Sequence, residues 1–348
     1  MLNINKFFPR LSITTKLLIA FLGLGAAPLV TFGFYSIFSL SRSLEKQALE
    51  QLQFQINAME RDIDNFLVDV QYDLRFLSTA AALEKLANLQ TLSQADSDDR
   101  LFAQYRQTVE KEFFRFSRGK RAYYQVRYID TRGQEIVRLN HDSAGVHIVP
   151  KAQLQNKNRR YYFRQAMQCS RGKIYLSPMD LNIERGGVEI PHRPVVRYAT
   201  PVFNRRGNKA GIVIINIFAE AIFEIIGGVP EGAGSFLADK NGLYLYQSAL
   251  TNGRTYFQKR SLYDDYPEAV VQTLLRDGNG LAYTSDHILA YALIHPRLDN
   301  TNAVDPWILL IASPKRIVLA TANHLKSVFL GILAMLVVAA ALLGVIAA

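Results

Sequence analysis

The chain has 348 residues, a formal net charge of +10 and a single cysteine, so no intrachain disulfide can form. That excludes a small disulfide-stapled ectodomain; an exported domain of this length must hold itself together by burying a core. The basic excess is scattered, with no run longer than pairs such as Arg159-Arg160 and Arg205-Arg206, and no nucleic-acid partner is expected.

Residues 1–16 hold Lys6, Arg10 and Lys16 and no acid, which predicts a cytoplasmic tail beside a first membrane pass. Residues 17–40 carry no charged side chain, and at 1.5 Å per residue the run covers roughly 30 Å, the thickness of a bilayer's hydrocarbon core. Gly25-Ala26-Ala27 offers small residues for signal cleavage, but the apolar run continues to Leu40, longer than the apolar stretch of about 7–15 residues in a signal peptide. A second uncharged run from Ser327 to Ala348 predicts a second pass. A multi-pass protein of a bacterial inner membrane is expected, in contact with lipid, with residues 41–326 periplasmic or otherwise extracytoplasmic. Its answering domain is expected beyond residue 348.

Residues 41–118 read as a stalk helix and a return helix. Leu49, Leu52, Ile56, Met59, Ile63, Phe66, Val70, Leu74 and Leu77 recur at steps of three and four, which places them on one stripe of a helix reaching about Ser78. So long a stripe predicts a homodimer through its membrane-near half and packing on its own domain through the distal half. Phe102, Tyr105, Val109, Phe113 and Phe116 predict a second helix folding back. The period then switches to two: Tyr123–Asp130 and Glu135–Leu139 read as strands joined by a turn at Thr131-Arg132-Gly133-Gln134.

That hairpin has a twin. Gly234–Asp239, Lys240-Asn241-Gly242 and Leu243–Tyr246 repeat the plan of strand, Asp-x-x-Gly, strand. Asp caps the turn backbone while Gly takes positive φ. Further elements follow each hairpin: a helix at 158–168 and strands at 173–180, 194–203 and 211–218 after the first. After the second come a helix at 267–276 and strands at 281–284, 288–294 and 307–312. From Ser313-Pro314 a helix is expected to run unbroken into the second pass. The fold class is therefore α+β, with two transmembrane helices flanking a long stalk helix and two tandem antiparallel-sheet modules. The modules cover residues 119–226, farther from the membrane, and 227–313, nearer to it, with the exit helix and second pass at 314–348.

Over residues 41–326 the chain resembles the double Cache family of tandem PAS-like extracytoplasmic sensors. Asn158-Arg159-Arg160-Tyr161-Tyr162-Phe163-Arg164-Gln165-Ala166, followed by Ile174–Asp180, carries the resemblance. Members that bind amino acids and amines have an Arg, an aromatic pair two and three residues on, an Ala, and an Asp on a later strand. Arg160, Tyr162, Phe163, Ala166 and Asp180 match that pattern, with Tyr162 for the usual Trp, Phe163 for the usual Tyr, and Gln155 where a Tyr is expected. The resemblance implies a small-molecule ligand: an amino acid, an amine or a carboxylate. Arg would grip a carboxylate, Asp would answer an ammonium, and the aromatics would exclude water. Arg127 and Arg197, on strands of the same sheet, are further candidates, while Tyr161 and Tyr198 read as core. The second module has no such Arg-aromatic helix, which places the site in the first.

No catalytic motif is present: no P-loop, no H-E-x-x-H, no G-x-S-x-G. The acids from Asp180 to Glu189 lack the spacing of a calcium loop, and neither metal nor cofactor is expected. The expected function is extracytoplasmic sensing as the input half of a receptor such as a two-component histidine kinase. A diguanylate cyclase, a chemotaxis transducer and a non-enzymatic, membrane-anchored periplasmic assembly protein are the alternatives.

Overall fold

The computed structural model describes residues 13–90, 99–229, 232–249, 253–257, 259–296 and 305–346. Helix α1 (Ile13–Ser78) is a single helix of 66 residues that ends where the periodicity expected. Leu52, Ile56, Met59, Ile63, Leu67, Val70, Leu74 and Leu77 form its buried stripe. Leu67 replaces the expected Phe66. Both positions fit steps of three and four after Ile63, and only what covers the helix chooses between them. A short helix α2 (Ala81–Gln90), not foreseen, buries Ala82, Leu83, Leu86 and Ala87. Helix α3 (Asp99–Ser117) is the expected return helix.

The first sheet is built from β1 (Tyr123–Asp130), β2 (Glu135–Asp142), β3 (Gly145–Ile148), β4 (Tyr175–Leu176), β5 (Asp180–Leu181), β8 (Pro194–Phe203) and β9 (Lys209–Phe218). Its order is β3-β2-β1-β9-β8-β4, and β5 also pairs with β8. The strand expected over 173–180 is thus two short pieces, because Pro178 has no N–H to continue the ladder. Helix α4 (Tyr161–Gln168) packs on β8 and β9. Strands β6 (Ile183–Glu184) and β7 (Gly187–Val188) pair only with each other, as a small hairpin outside the sheet.

After α5 (Glu220–Ile226), the second sheet comprises β10 (Gly234–Ala238), β11 (Tyr244–Ala249), β12 (Gly253–Tyr256), β13 (Asn279–Tyr283), β14 (His287–Ile294) and β15 (Trp307–Pro314). Helices α6 (Leu262–Asp265) and α7 (Glu268–Arg276) lie between β12 and β13 in the chain. The order, β12-β11-β10-β15-β14-β13, repeats the six-strand path of the first sheet, which has β5 in addition.

The twin turns agree down to single hydrogen bonds. Asp130 Oδ1 accepts the N–H groups of Arg132 (2.9 Å) and Gln134 (2.8 Å), and Asp239 Oδ1 those of Asn241 (2.8 Å) and Leu243 (2.9 Å). Gly133 and Gly242 take φ of 81° and 79°. The Gly133 carbonyl also accepts the Lys157 N–H at 2.6 Å, fastening the turn to the loop before α4. A Cβ at Gly133 would lie 2.5 Å from the Asn158 nitrogen. Gly133→Ala is accordingly expected to cost about 2–3 kcal/mol, from left-handed strain together with that clash. Chemical denaturation measures it, and a change under 0.5 kcal/mol (roughly the scatter of surface substitutions) would remove the close approach as its cause.

Ile56–Ala282 and Ala290–Ile311 form one compact unit, and the rest of the described chain forms the other. In that second unit α8 (Lys315–Val318) and α9 (Ala320–Ile346) replace the unbroken exit helix that was expected, because Leu319 leaves helical geometry at φ −98° and ψ 7°. The rings of Phe34 on α1 and Phe329 on α9 lie 6.5 Å apart, and a Cβ on Gly33 would meet the Phe329 ring at 2.8 Å. Among the described residues no helix is long and apolar enough to cross a membrane.

Candidate ligand-binding site

Strand alternation puts Gln125, Arg127 and Ile129 of β1 on the face of the first sheet that α4 covers. Register then builds a polar row across four strands: Asn140 opposite Gln125, Gln125 opposite Asn216, and Asn216 opposite Arg197. In the next row Arg138 stands directly opposite Arg127, a like-charge pair that repels unless acids intervene.

Two acids do so. Glu135, 1% exposed, meets Arg127 Nη1 at 3.3 Å and Arg138 Nη1 at 3.6 Å, and accepts the Gln155 N–H at 2.9 Å. Glu184 of β6 accepts from Arg138 (3.1 Å), Lys157 (3.1 Å), Gln155 (2.8 Å), Gln125 (3.1 Å) and Asn182 (3.4 Å). Burial opposes the charge on Glu184, but Arg138, Arg127 and Lys157 outweigh it and hold the carboxyl well below the usual carboxylate range. Burial, with repulsion from Arg127, pulls the Lys157 ammonium down despite the attraction of Glu184.

The residues expected to form the site fall into three groups. Tyr162, on the first turn of α4, is the hub. The guanidiniums of Arg197, Arg127 and Arg160 lie 5.0, 5.6 and 5.7 Å from its ring centroid, within cation–π range. Burial alone would raise the Tyr162 phenol, but Arg127, Lys157 and Arg197 reverse the sign and lower it. Arg127 further donates to Asn216 Oδ1 at 2.7 Å. Asp180 and Arg197 form a second group, joined at 2.5 Å, with the Tyr161 hydroxyl donating to the other Asp180 oxygen at 2.5 Å. Arg160 is the residue preceding α4, in extended conformation, and has no hydrogen bond to Asp180. Phe163 has no charged partner among the described residues and shares an apolar cluster with Tyr162, Ile129, Ala166, Ala199, Ile212 and Ile214.

Sequence reasoning missed Glu135, Lys157 and Asn216 and weighed Glu184 only within an acidic stretch; Tyr161, read as core, does pack against the apolar cluster and also donates to Asp180. The only available signal was the odd presence of Asn216 in the apolar run Ile212–Phe218. Tyr198, beside Arg197, alternates to the opposite face, where Asp64 raises its phenol further after burial has done so. The acids Glu184 and Glu189 serve partners within the protein, Glu189 binding the Tyr124 hydroxyl at 2.6 Å, Asn182 at 2.9 Å and Arg193 at 3.2 Å. A cavity of about 680 Å³ lies elsewhere, against the end of α1, and is lined by Phe76, Leu77, Ala81, Glu112, Arg115 and Phe116 among others. It takes no part in the charged cluster.

Residues 43–304 match the family model described as the sensor domain of bacterial histidine kinases. The chain belongs to that family. It is an extracytoplasmic sensor domain that supplies the input to signal transduction. Solved structures share the fold at low identity. The extracellular domain of the putative histidine kinase vpHK1S-Z8 is 18% identical with a TM-score of 0.65, covering 82% of this chain and 99% of that one. A domain of a putative sensory box/GGDEF family protein from Vibrio parahaemolyticus is 18% identical with a TM-score of 0.61, covering 79% and 99%. The sensory domain of the Campylobacter jejuni chemoreceptor Tlp3 with isoleucine bound is 12% identical with a TM-score of 0.51, covering 80% and 97%. No curated protein matches the chain.

Proposed function

We propose that this sensor domain recognises a small molecule, an amino acid, amine or carboxylate, at the charged cluster of the first sheet. One observation carries the reading: three guanidiniums converge on the single buried ring of Tyr162. A surplus of fixed cations beside a water-excluding aromatic wall is a costly arrangement for stability alone and a useful one for gripping an anion. The second sheet offers no counterpart; its buried polar side chains among the described residues are Ser235, Gln247 and Ser313. The isoleucine in the Tlp3 structure supports a ligand of amino-acid size.

In this reading the uncharged runs at 17–40 and 327–348 anchor the domain. Large apolar side chains there face outward, with Phe32 71% and Met335 74% exposed, which suits lipid as the covering phase. Phe54, Tyr72 and Phe76 on α1 also stay exposed, which supports a second copy of the chain as partner. The receptor's output is then a kinase whose activity follows a shift between two states, by as much as the ligand's affinity differs between them.

Arg160 is the residue to test. Arg160→Ala is expected to abolish the ligand-induced rise in melting temperature, seen when the full chain is screened against amino acids, amines and carboxylates, while its own melting temperature changes by less than about 2 °C. Loss of folding would make Arg160 structural, and a full response in the variant would remove it from the site.

A further inference from the structure

We infer that Arg138, Lys157, Gln125 and Gln155 form the carboxylate subsite of the sensor, which Glu184 fills in the ligand-free protein as a tethered stand-in that a free carboxylate displaces. The inference rests on the small-molecule reading above and narrows it to one ligand class and one place.

The cradle is more than a strand-end acid needs. Four donors, two of them cationic, converge from β1, β2 and the loop before α4 on one carboxylate, and Asn182 adds a fifth. Its cations are set in place by the first sheet and the Gly133 turn, independently of Glu184. Glu184 itself arrives on the smallest of the three sheets. The β6–β7 hairpin belongs to neither large sheet. Its turn takes two left-handed residues, Arg185 at φ 50° and Gly186 at 86°, and Ile190 at its base is 87% exposed. The backbone ties at its base are Asn182 N–H to Arg193 O (2.8 Å) and Glu189 N–H to Asn182 O (3.0 Å). Inward, the hairpin is held by the Glu184 carboxylate, by the Tyr124 hydroxyl on Glu189 at 2.6 Å and by the Arg185 N–H on Gln155 at 3.3 Å.

Charge decides which ligand fits. With Glu184 withdrawn, Arg127, Arg138 and Lys157 face Glu135 alone, so the space left calls for an anion. The acids already there are engaged: Glu135 by Arg127, Arg138 and the Gln155 N–H, and Asp180 by Arg197 and Tyr161, so an ammonium would have to compete with these cations and donors. A carboxylate without an amine matches these groups. Its entry would release the hairpin, giving the sensor two discrete states.

A tethered group competes at an effective concentration in the millimolar range. Glu184→Gln keeps the shape and removes the competing charge, so it should tighten carboxylate binding. With the full chain in detergent micelles, succinate is expected to bind E184Q at least ~10-fold more tightly than wild type, a gain set by that competition. Lys157→Met in the E184Q background should abolish the gain, and uncharged succinamide should bind neither protein. Equal or weaker succinate binding by E184Q, or a gain that survives Lys157→Met, overturns the subsite. Hydrogen exchange on the wild-type chain is the second measurement, should E184Q fold poorly. Saturating succinate should speed exchange over residues 183–188 and slow it over 155–162, and unchanged exchange also overturns the inference. A ligand whose binding needs Arg160 but ignores E184Q would sink this subsite and leave the sensing reading standing. No response to any ligand by well-folded wild type and E184Q would sink both.

Discussion

Glu135→Ala is expected to lower the unfolding free energy by about 3–5 kcal/mol, because it strands buried cations rather than merely deleting a contact. Glu135 is the acid between Arg127 and Arg138, which register places directly opposite each other, and Arg127 is 1% exposed. Arg127 keeps its charge in the folded state: burial opposes it, but Tyr162, Glu135 and Glu184 outweigh that and raise its pKa. It can neither shed its proton nor reach water, and Asn216 Oδ1 would be left as its strongest remaining acceptor. The double variant Arg127→Met/Glu135→Leu should recover more than half of the loss, since a buried ion pair roughly breaks even against apolar side chains of similar volume. Equilibrium denaturation of the two variants against wild type reads both numbers. A loss below about 1 kcal/mol in the single variant would place it with an exposed ion pair and remove Glu135 as the brace of the cluster.

Tyr162→Ala is the second large effect, at about 3–5 kcal/mol, the usual cost of emptying an aromatic site in a core. The ring packs against Ile129, Phe163, Ala199, Ile212 and Ile214 and also separates three guanidiniums. Its removal leaves a cavity and lets those cations face one another. Tyr162→Phe keeps the ring and loses only the contact between its hydroxyl and Arg127 Nη1 at 3.4 Å, so it should cost about 1 kcal/mol or less. Ligand response should survive in Tyr162→Phe. A Phe variant as damaged as the Ala variant would mean that the hydroxyl, not the ring, organises the site.

Both effects depend on neighbours that lie far apart in the chain, and this separates what could be read in advance from what could not. The apolar stripe of α1 and the twin Asp-x-x-Gly turns were legible because each depends on residues a few positions apart. Tyr162 and Phe163 came forward as candidate site residues only through family resemblance. Helix α2 and the β6–β7 hairpin were not legible, being too short for a period to show. Pro178 was visible, yet its splitting of the expected strand into β4 and β5 matters only because both pieces pair with β8. Nor could the sequence assign Arg160, Arg197 and Asp180 to their partners. Asp180 meets Arg197, 17 positions away, and Tyr161, while Arg160 lies over Tyr162.

The sequence by itself determined the order of elements, the repeat and the two uncharged runs, because helical period, turn chemistry and the lack of charge are local properties. Tertiary structure alone decided which charges share a face. Sheet register sets Arg127 against Arg138 and Asn216 against Arg197, and a hairpin outside that sheet brings Glu184 to them. Electrostatic partnership falls off with distance through space, and a one-residue change of register would have turned every one of these side chains to the other face.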